Sequence, residues 1–240
     1  MHQIDEALQE TKEANINAIV AFFESGIKRE SKKIGIELEH TIVKKDGCQP
    51  VSYSEDRGVQ WLLHRLNETY PETTLDAEGD LLGVAGGYEA VTIEPAAQIE
   101  LSAGPFEDLH EASRCFEGFD ELLRTTLEAA DEKVVLLGYH PTARVDNLEL
   151  IPKKRYRFMD QYFRKIGPYG PCMMRGSAST QVSIDYSSTE DCLKKLRLAF
   201  ALVPVFSLIC DNTPIFEGKP RTHKLVRTKI WQECDPDRCG

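Results

Sequence analysis

The apolar residues Ile4, Leu8, Ile16, Ile19, Val20 and Phe23 recur mostly at helical spacing, which predicts a helix over 4–28 that Gly26 closes. The pattern then changes period. Ile34, Ile36, Leu38 and Ile42 alternate with Gly35, Glu37, Glu39 and Thr41, the signature of a strand with one apolar and one polar face. A short helix is expected around Trp61, Leu62, Leu63 and Leu66, followed by turns from Pro71 to Gly87, where Gly, Asp and Thr accumulate. A second strand begins at Val91, is interrupted at Pro95 and resumes at Gln98, so that Gln98, Glu100 and Ser102 share a face.

Leu109, Ala112, Phe116, Phe119, Leu123 and Leu127 mark a long helix over 107–132, of the kind that covers a sheet. Val134 to Leu137 reads as a short strand, and Tyr156 to Phe163 as a helical turn before the break at Gly167-Pro168-Tyr169-Gly170. Thr180, Val182 and Ile184 alternate with Gln181, Ser183 and Asp185 in a further strand. Ser187 and Glu190 then form an S-x-x-E capping box at the head of a helix through Leu193, Leu196 and Phe200.

Composition leaves this picture intact and narrows the partners. The chain has 240 residues, 41% of them hydrophobic and 28% charged, as expected of a globular protein, and no run of apolar residues is long enough to span a bilayer. The balance of 29 Lys and Arg against 39 Asp and Glu gives a net charge of -10, which argues against nucleic acid and anionic membranes as partners. The seven cysteines are widely spread, and the N-terminus lacks the basic and apolar stretches of a signal peptide, so a cytoplasmic location is expected. Cys234 and Cys239 form a C-x4-C without the matching second pair that a zinc site needs.

The phosphate-binding glycine motifs fail. Gly218-Lys219 lacks both the upstream glycine and the following Ser or Thr of a P-loop, and Gly83, Gly86 and Gly87 do not fit G-x-G-x-x-G. A nucleotide would have to be held by metal ions and basic side chains. Glu37 and Glu39 on one strand and Glu100 on the polar face of another offer hard oxygen ligands suited to Mg²⁺, and Glu94 offers a fourth. Alternation alone favours an ordinary solvated face. Like charges at i and i+2 are nevertheless easier to explain if a cation neutralises them.

Basic side chains gather in the second half, in Lys153-Lys154-Arg155-Tyr156-Arg157 and in Lys219 to Lys224 with Arg227 and Lys229, a segregation that suits small anions. His40, His64, His110, His140 and His223 show no metal spacing and read as structural or surface residues.

Six segments, in order, now resemble glutamate-cysteine ligase (gamma-glutamylcysteine synthetase) of the plant and bacterial type. They are Gly35-Ile36-Glu37-Leu38-Glu39-His40, Ile93 to Ser102, Pro152 to Tyr156, Met173-Met174 with Ser179 to Asp185, Asn212 to Lys219, and Ile230-Trp231 with Asp235 to Gly240. The resemblance implies an α+β fold with a glutamine-synthetase-like curved, mostly antiparallel sheet and helices packed behind it. It further implies that residues 1–240 are a single catalytic domain, the N-terminal part of a longer ligase domain, with the sheet incomplete at the C-terminus. The implied reaction is ATP-dependent ligation of the γ-carboxylate of glutamate to the amine of cysteine through a γ-glutamyl phosphate, the first step of glutathione biosynthesis.

Carried over by motif position, Glu37, Glu39, Glu94 and Glu100 are implied as Mg²⁺ ligands. Arg155 and Arg227 are implied as catalytic groups that contact substrate together with Tyr156, and Gln181 as a nucleotide-side residue. Ala96 and Ala97 stand where the family usually has two glycines, and Cys239 where Thr is common. A ligase using a different amine and a non-catalytic nucleotide- or metal-binding fragment remain open, and no oligomeric state is assigned.

Overall fold

The computed structural model describes residues 2–30 and 32–239, with side chains from residue 11 onward. Its organising element is β1 (Ile34–Lys44), as the alternation of apolar and polar residues predicts. Along its whole polar stretch β1 pairs antiparallel with β5 (Ile99–Phe106), bringing Glu39 opposite Glu100 and Glu37 opposite Ser102. Its other edge is shared by two strands. Ile34–Leu38 pairs with β7 (Thr180–Ile184), and Thr41–Lys44 with β6 (Glu132–Val135). The edge therefore forks at Glu39 and His40, where the Glu39 amide donates to the carbonyl of Ser179 at 2.9 Å.

Beyond β5 the sheet continues through β4 (Glu89–Ile93), β3 (Leu81–Gly86) and β2 (Glu72–Leu75), all antiparallel. The predicted single strand interrupted at Pro95 is in fact two strands. The Glu94 amide donates to the Gln98 carbonyl and the Ala97 amide to the Glu94 carbonyl, both at 2.9 Å, so the interruption is a hairpin turn. The turns expected from Pro71 to Gly87 contain β2 and β3. Thr73 and Thr74 favour extended backbone, and Gly83 allows close approach, because a Cβ there would lie 2.9 Å from the Val91 carbonyl oxygen.

Two helices close the apolar side. α2 (Val59–Leu66) contributes Leu62, Leu63 and Leu66, and α3 (Leu109–Glu128) contributes Phe119, Leu123 and Leu127, against Ile42, Val91, Ile93, Ile99 and Leu101 from the sheet. Each of these large side chains contributes about 1.5–3 kcal/mol by leaving water. α3 starts at Asp108, whose carboxylate accepts the His110 and Glu111 amides at 2.8 Å, a strong N-cap. Buried His40 stays in this core with its ring nitrogens 3.3 Å from the Ile99 carbonyl and 3.0 Å from Asp120.

A smaller apolar cluster of Tyr139, Cys172, Val226 and Ile230 ties α6 (Val226–Gln232) to a π-helical turn at Cys172–Gly176. α4 (Lys154–Ile166) is longer than the single turn expected at Tyr156 to Phe163.

The remaining helices form without being covered. α1 (His2–Ser25) ends just before Gly26 as predicted, but Ile16, Ile19, Val20 and Phe23 are exposed; Ile4 and Leu8 lie outside the described side chains. α5 (Thr189–Ile209) buries none of its residues. Its cap falls one position beyond the predicted box, at Ser188, which accepts the Asp191 amide at 3.1 Å. A two-stranded hairpin, β8 (Ile215–Phe216) with β9 (Lys219–Pro220), lies between α5 and α6. The fold is thus α+β around a seven-stranded, mostly antiparallel sheet, and no described helix is long and apolar enough to cross a membrane.

Candidate active site

The polar face of the sheet is built in rows by register. Gln181, Glu37, Ser102 and Ala90 lie across β7, β1, β5 and β4, while Glu39, Glu100 and Thr92 form the next row. Glu94 follows Thr92 by two positions, at the start of the hairpin turn. Directly paired residues on adjacent strands place their Cβ atoms about 4.5–5.5 Å apart, and like charges so placed repel. The carboxylates are therefore held together by backbone pairing against their own electrostatics.

Each acid is positioned by neighbours. Glu39, at the fork, accepts the Ser179 amide at 3.0 Å and the Ser179 hydroxyl at 2.6 Å. Glu100 accepts the hydroxyls of Thr92 at 3.1 Å and Ser102 at 3.2 Å. Glu94 accepts the Tyr156 hydroxyl at 3.3 Å, and that hydroxyl accepts from the Arg155 guanidinium at 2.7 Å. The Arg155 guanidinium also lies over the Tyr156 ring, 4.7 Å from its centroid, and Lys153 Nζ stands 5.3 Å from the same centroid.

Proton affinities record the strain of this arrangement. Burial, with the charges of Glu94 and Glu100, raises Glu39 to about 7 despite the opposing bonds from Ser179. Burial and Glu100 raise Glu37, against a hydrogen bond from Gln181. Burial and Glu100 likewise raise Glu94, opposed by Lys153, Arg155 and Tyr156. Arg227 is pushed down by burial and held up by the charge of Glu39. Its guanidinium donates to the carbonyls of Gly138, at 2.9 Å, and Ala178. A cleft of about 730 Å³ lies between these groups, lined by Glu39, Ser179, Gly138, Asn212 and Arg227.

The structure thus gathers Glu37, Glu39, Glu94, Glu100, Gln181, Arg155 and Tyr156 around one face. Arg227 reaches the group only from the Glu39 side. Whether these acids suit a divalent cation is tested by their chemistry: the donors are hard oxygens, and burial together with neighbouring carboxylate charge raises the proton affinity of Glu37, Glu39 and Glu94. Among the described residues, however, no three His, Cys, Asp or Glu side chains form a cage for an ion. The four carboxylates expected as a metal set each accept hydrogen bonds from neighbours, Glu37 from Gln181, Glu39 from Ser179, Glu94 from Tyr156 and Glu100 from Thr92 and Ser102. Mg²⁺ fits such a site because it is commonly held by one or two carboxylates, with phosphate and water completing its shell. Among the described residues, no His, Cys, Asp or Glu joins Cys234 and Cys239 in a group of three.

Sequence reasoning placed Lys153 only in a basic cluster suited to small anions and assigned no role to Ser179 or Thr92. Thr92 was detectable in principle, two positions before Glu94 on an alternating strand. Ser179 was not, because its contact with Glu39 depends on the fork in the sheet.

Arg155 and Arg227 thus flank acids presented on one face of an antiparallel sheet. The chain belongs to glutamate-cysteine ligase family 2, whose model matches residues 33–240. It is 32% identical over 241 residues to a chloroplastic glutamate–cysteine ligase A of Oryza sativa subsp. japonica, covering 98% of this chain and 48% of that protein. It is 32% identical over 240 residues to the chloroplastic glutamate–cysteine ligase of Arabidopsis thaliana (98% and 45%), and 28% identical over 239 residues to that of Medicago truncatula (98% and 46%). The chain spans about half the length of these relatives. Their chloroplastic assignment overturns the cytoplasmic location expected from the cysteines. Unpaired thiols indicate a reducing compartment, and the cytoplasm is not the only one.

Proposed function

We propose that these residues supply the cation- and phosphate-handling face of an ATP-dependent glutamate–cysteine ligase, on a sheet of the glutamine-synthetase type. The observation that carries this reading is the set of carboxylates brought together by strand pairing, Glu37, Glu39 and Glu94 among them raised by burial and neighbouring charge, with cationic side chains on both flanks. In the proposed reaction the γ-carboxylate of glutamate attacks the terminal phosphate of ATP, and the amine of cysteine then displaces phosphate from the γ-glutamyl phosphate. Mg²⁺, held through Glu39 and Glu100 with Glu37 and Glu94 beside them, would supply charge neutralisation at the phosphate oxygens.

The chain's own groups divide the remaining work. Arg155, exposed and braced by Tyr156, offers a planar donor pair to a carboxylate or phosphate. Arg227 places positive charge across the cleft from Glu39, where charge develops on the transferring group. Gln181, level with Glu37 at the sheet edge, presents an amide to the nucleotide side.

The test is mass-spectrometric detection of dipeptide after incubating the chain with ATP, Mg²⁺, glutamate and a mixture of amines that includes cysteine. ATP-dependent γ-glutamylcysteine is the expected product. A dipeptide with another amine would replace the acceptor while keeping the reaction. ATP binding without any product would leave these residues a nucleotide- and metal-binding unit, and contradict ligation by this chain.

A further inference from the structure

We propose that Cys234 and Cys239 are a reversible dithiol–disulfide pair that exchanges with low-molecular-weight disulfides. The two Sγ atoms lie 3.8 Å apart across the turn that follows α6. That turn is held independently of them: the Asp235 carbonyl accepts the amides of Arg238 at 3.1 Å and Cys239 at 2.8 Å, and the Asp235 carboxylate accepts the Asp237 amide at 3.1 Å. The same carboxylate pairs with Arg238 at 2.5 Å and accepts the Tyr162 hydroxyl at 3.2 Å. The thiols are therefore presented to each other by a preformed loop, and closing the bond to about 2.05 Å adds little further ordering.

Access is asymmetric. Cys234 is 1% exposed, whereas Cys239 is half-buried on the wall of a cleft of about 410 Å³ that it shares with Cys210, Trp231 and Arg227. Burial and the neighbouring Cys239 raise the Cys234 thiol to about 11, which keeps it protonated and leaves the first attack to the more accessible Cys239. Cys239 thiolate attacks one sulfur of the external disulfide, breaking its S–S bond and releasing one thiolate. The Cys234 sulfur then attacks the Cys239 sulfur as its proton leaves, breaking the mixed disulfide and releasing the second thiolate, and the two released thiolates take up the protons shed by Cys239 and Cys234. Two protein thiols are oxidised and one external disulfide is reduced to two thiols. The bridge ties the end of the helix that carries Arg227 to the turn beyond it. This inference does not depend on the ligase reading.

The test is to equilibrate the full chain across a range of oxidised to reduced glutathione, block free thiols, unfold and digest with trypsin. Cleavage after Arg238 separates the two cysteines, so the bridge appears as two peptides linked until reductant is added. The expected result is a linked pair that accumulates with oxidised glutathione and disappears reversibly. Cys234→Ser should lose the linked pair and retain one glutathione adduct on Cys239, while Cys239→Ser should leave residue 234 without an adduct. The proposal is overturned if the folded wild-type chain shows no linked pair at any ratio, or if Cys239→Ser captures glutathione at Cys234. The wild-type result stands even where a serine variant fails to fold.

Discussion

The two sides of β1 put similar sequence patterns to different ends. Toward β5 the strand lies over α2 and α3, and Leu62, Leu63, Leu123 and Leu127 are almost wholly removed from water. Toward β7 the sheet meets no such layer among the described residues: every residue of β7 is exposed, and Leu196 and Phe200 of α5 are 52% and 71% exposed. Both regions show the expected helical or alternating pattern. Periodicity therefore specifies an element and its apolar face, whereas burial depends on whether another element stands opposite.

The contrast is broken or sharpened most strongly by truncation in the packed half. Leu123→Ala should destabilise the chain by about 2–5 kcal/mol, through lost transfer energy and a residual cavity. Phe200→Ala in the open half should shift the unfolding free energy by about 0.5 kcal/mol or less. Chemical denaturation of the two variants under one set of conditions reads the difference, and equal losses would erase it.

The acid row lies where the halves meet, and its response to pH is the next largest effect expected. With Glu39 raised to about 7, the native state holds a proton that the unfolded chain releases above the ordinary glutamate value of 4.5. This group's contribution thus declines as pH rises from 4.5 through 7. A cation on the face reverses the decline by favouring the ionised form. The gain in melting temperature on adding Mg²⁺ should accordingly be larger at pH 8 than at pH 5.5, and Glu39→Gln should flatten that dependence. Ser179→Ala, which removes the hydroxyl bond to Glu39, should weaken cation affinity by about tenfold or more, as loss of an orienting partner commonly does. Calorimetric titration measures it.

A smaller effect is expected in the hairpin that carries Glu94. Ala97 has a φ of 66°, in the left-handed region. Ala97→Gly should relieve a strain of about 1–2 kcal/mol, partly offset by the greater freedom of glycine in the unfolded chain. A modest rise in melting temperature with unchanged cation affinity is the expected outcome.

Much of this organisation was legible before the fold. Alternation located β1 and β7, and three-and-four spacing located α3, because each of these elements has a single consistent period. The Glu94-Pro95-Ala96-Ala97-Gln98 segment was harder. A proline between two apolar runs reads as an interruption, and only the pairing of β4 with β5 makes it a hairpin. β3 was hidden by Gly83, which serves close backbone approach, and β2 is a short exposed strand of four residues without a buried apolar face. Within the site, the acids and Gln181 were visible as polar-face residues, but the fork that brings Ser179 to Glu39 joins positions 140 residues apart and leaves no local signal.

The most direct test of the central claim is titration of the chain with Mn²⁺, standing in for Mg²⁺, in the presence of a non-hydrolysable ATP analogue, with bound ion read by electron paramagnetic resonance. Saturable, nucleotide-dependent binding that is weakened at least about tenfold in folded Glu100→Gln is the predicted result. Binding unchanged by Glu100→Gln and Glu39→Gln together would contradict the assignment of this sheet face to the cation.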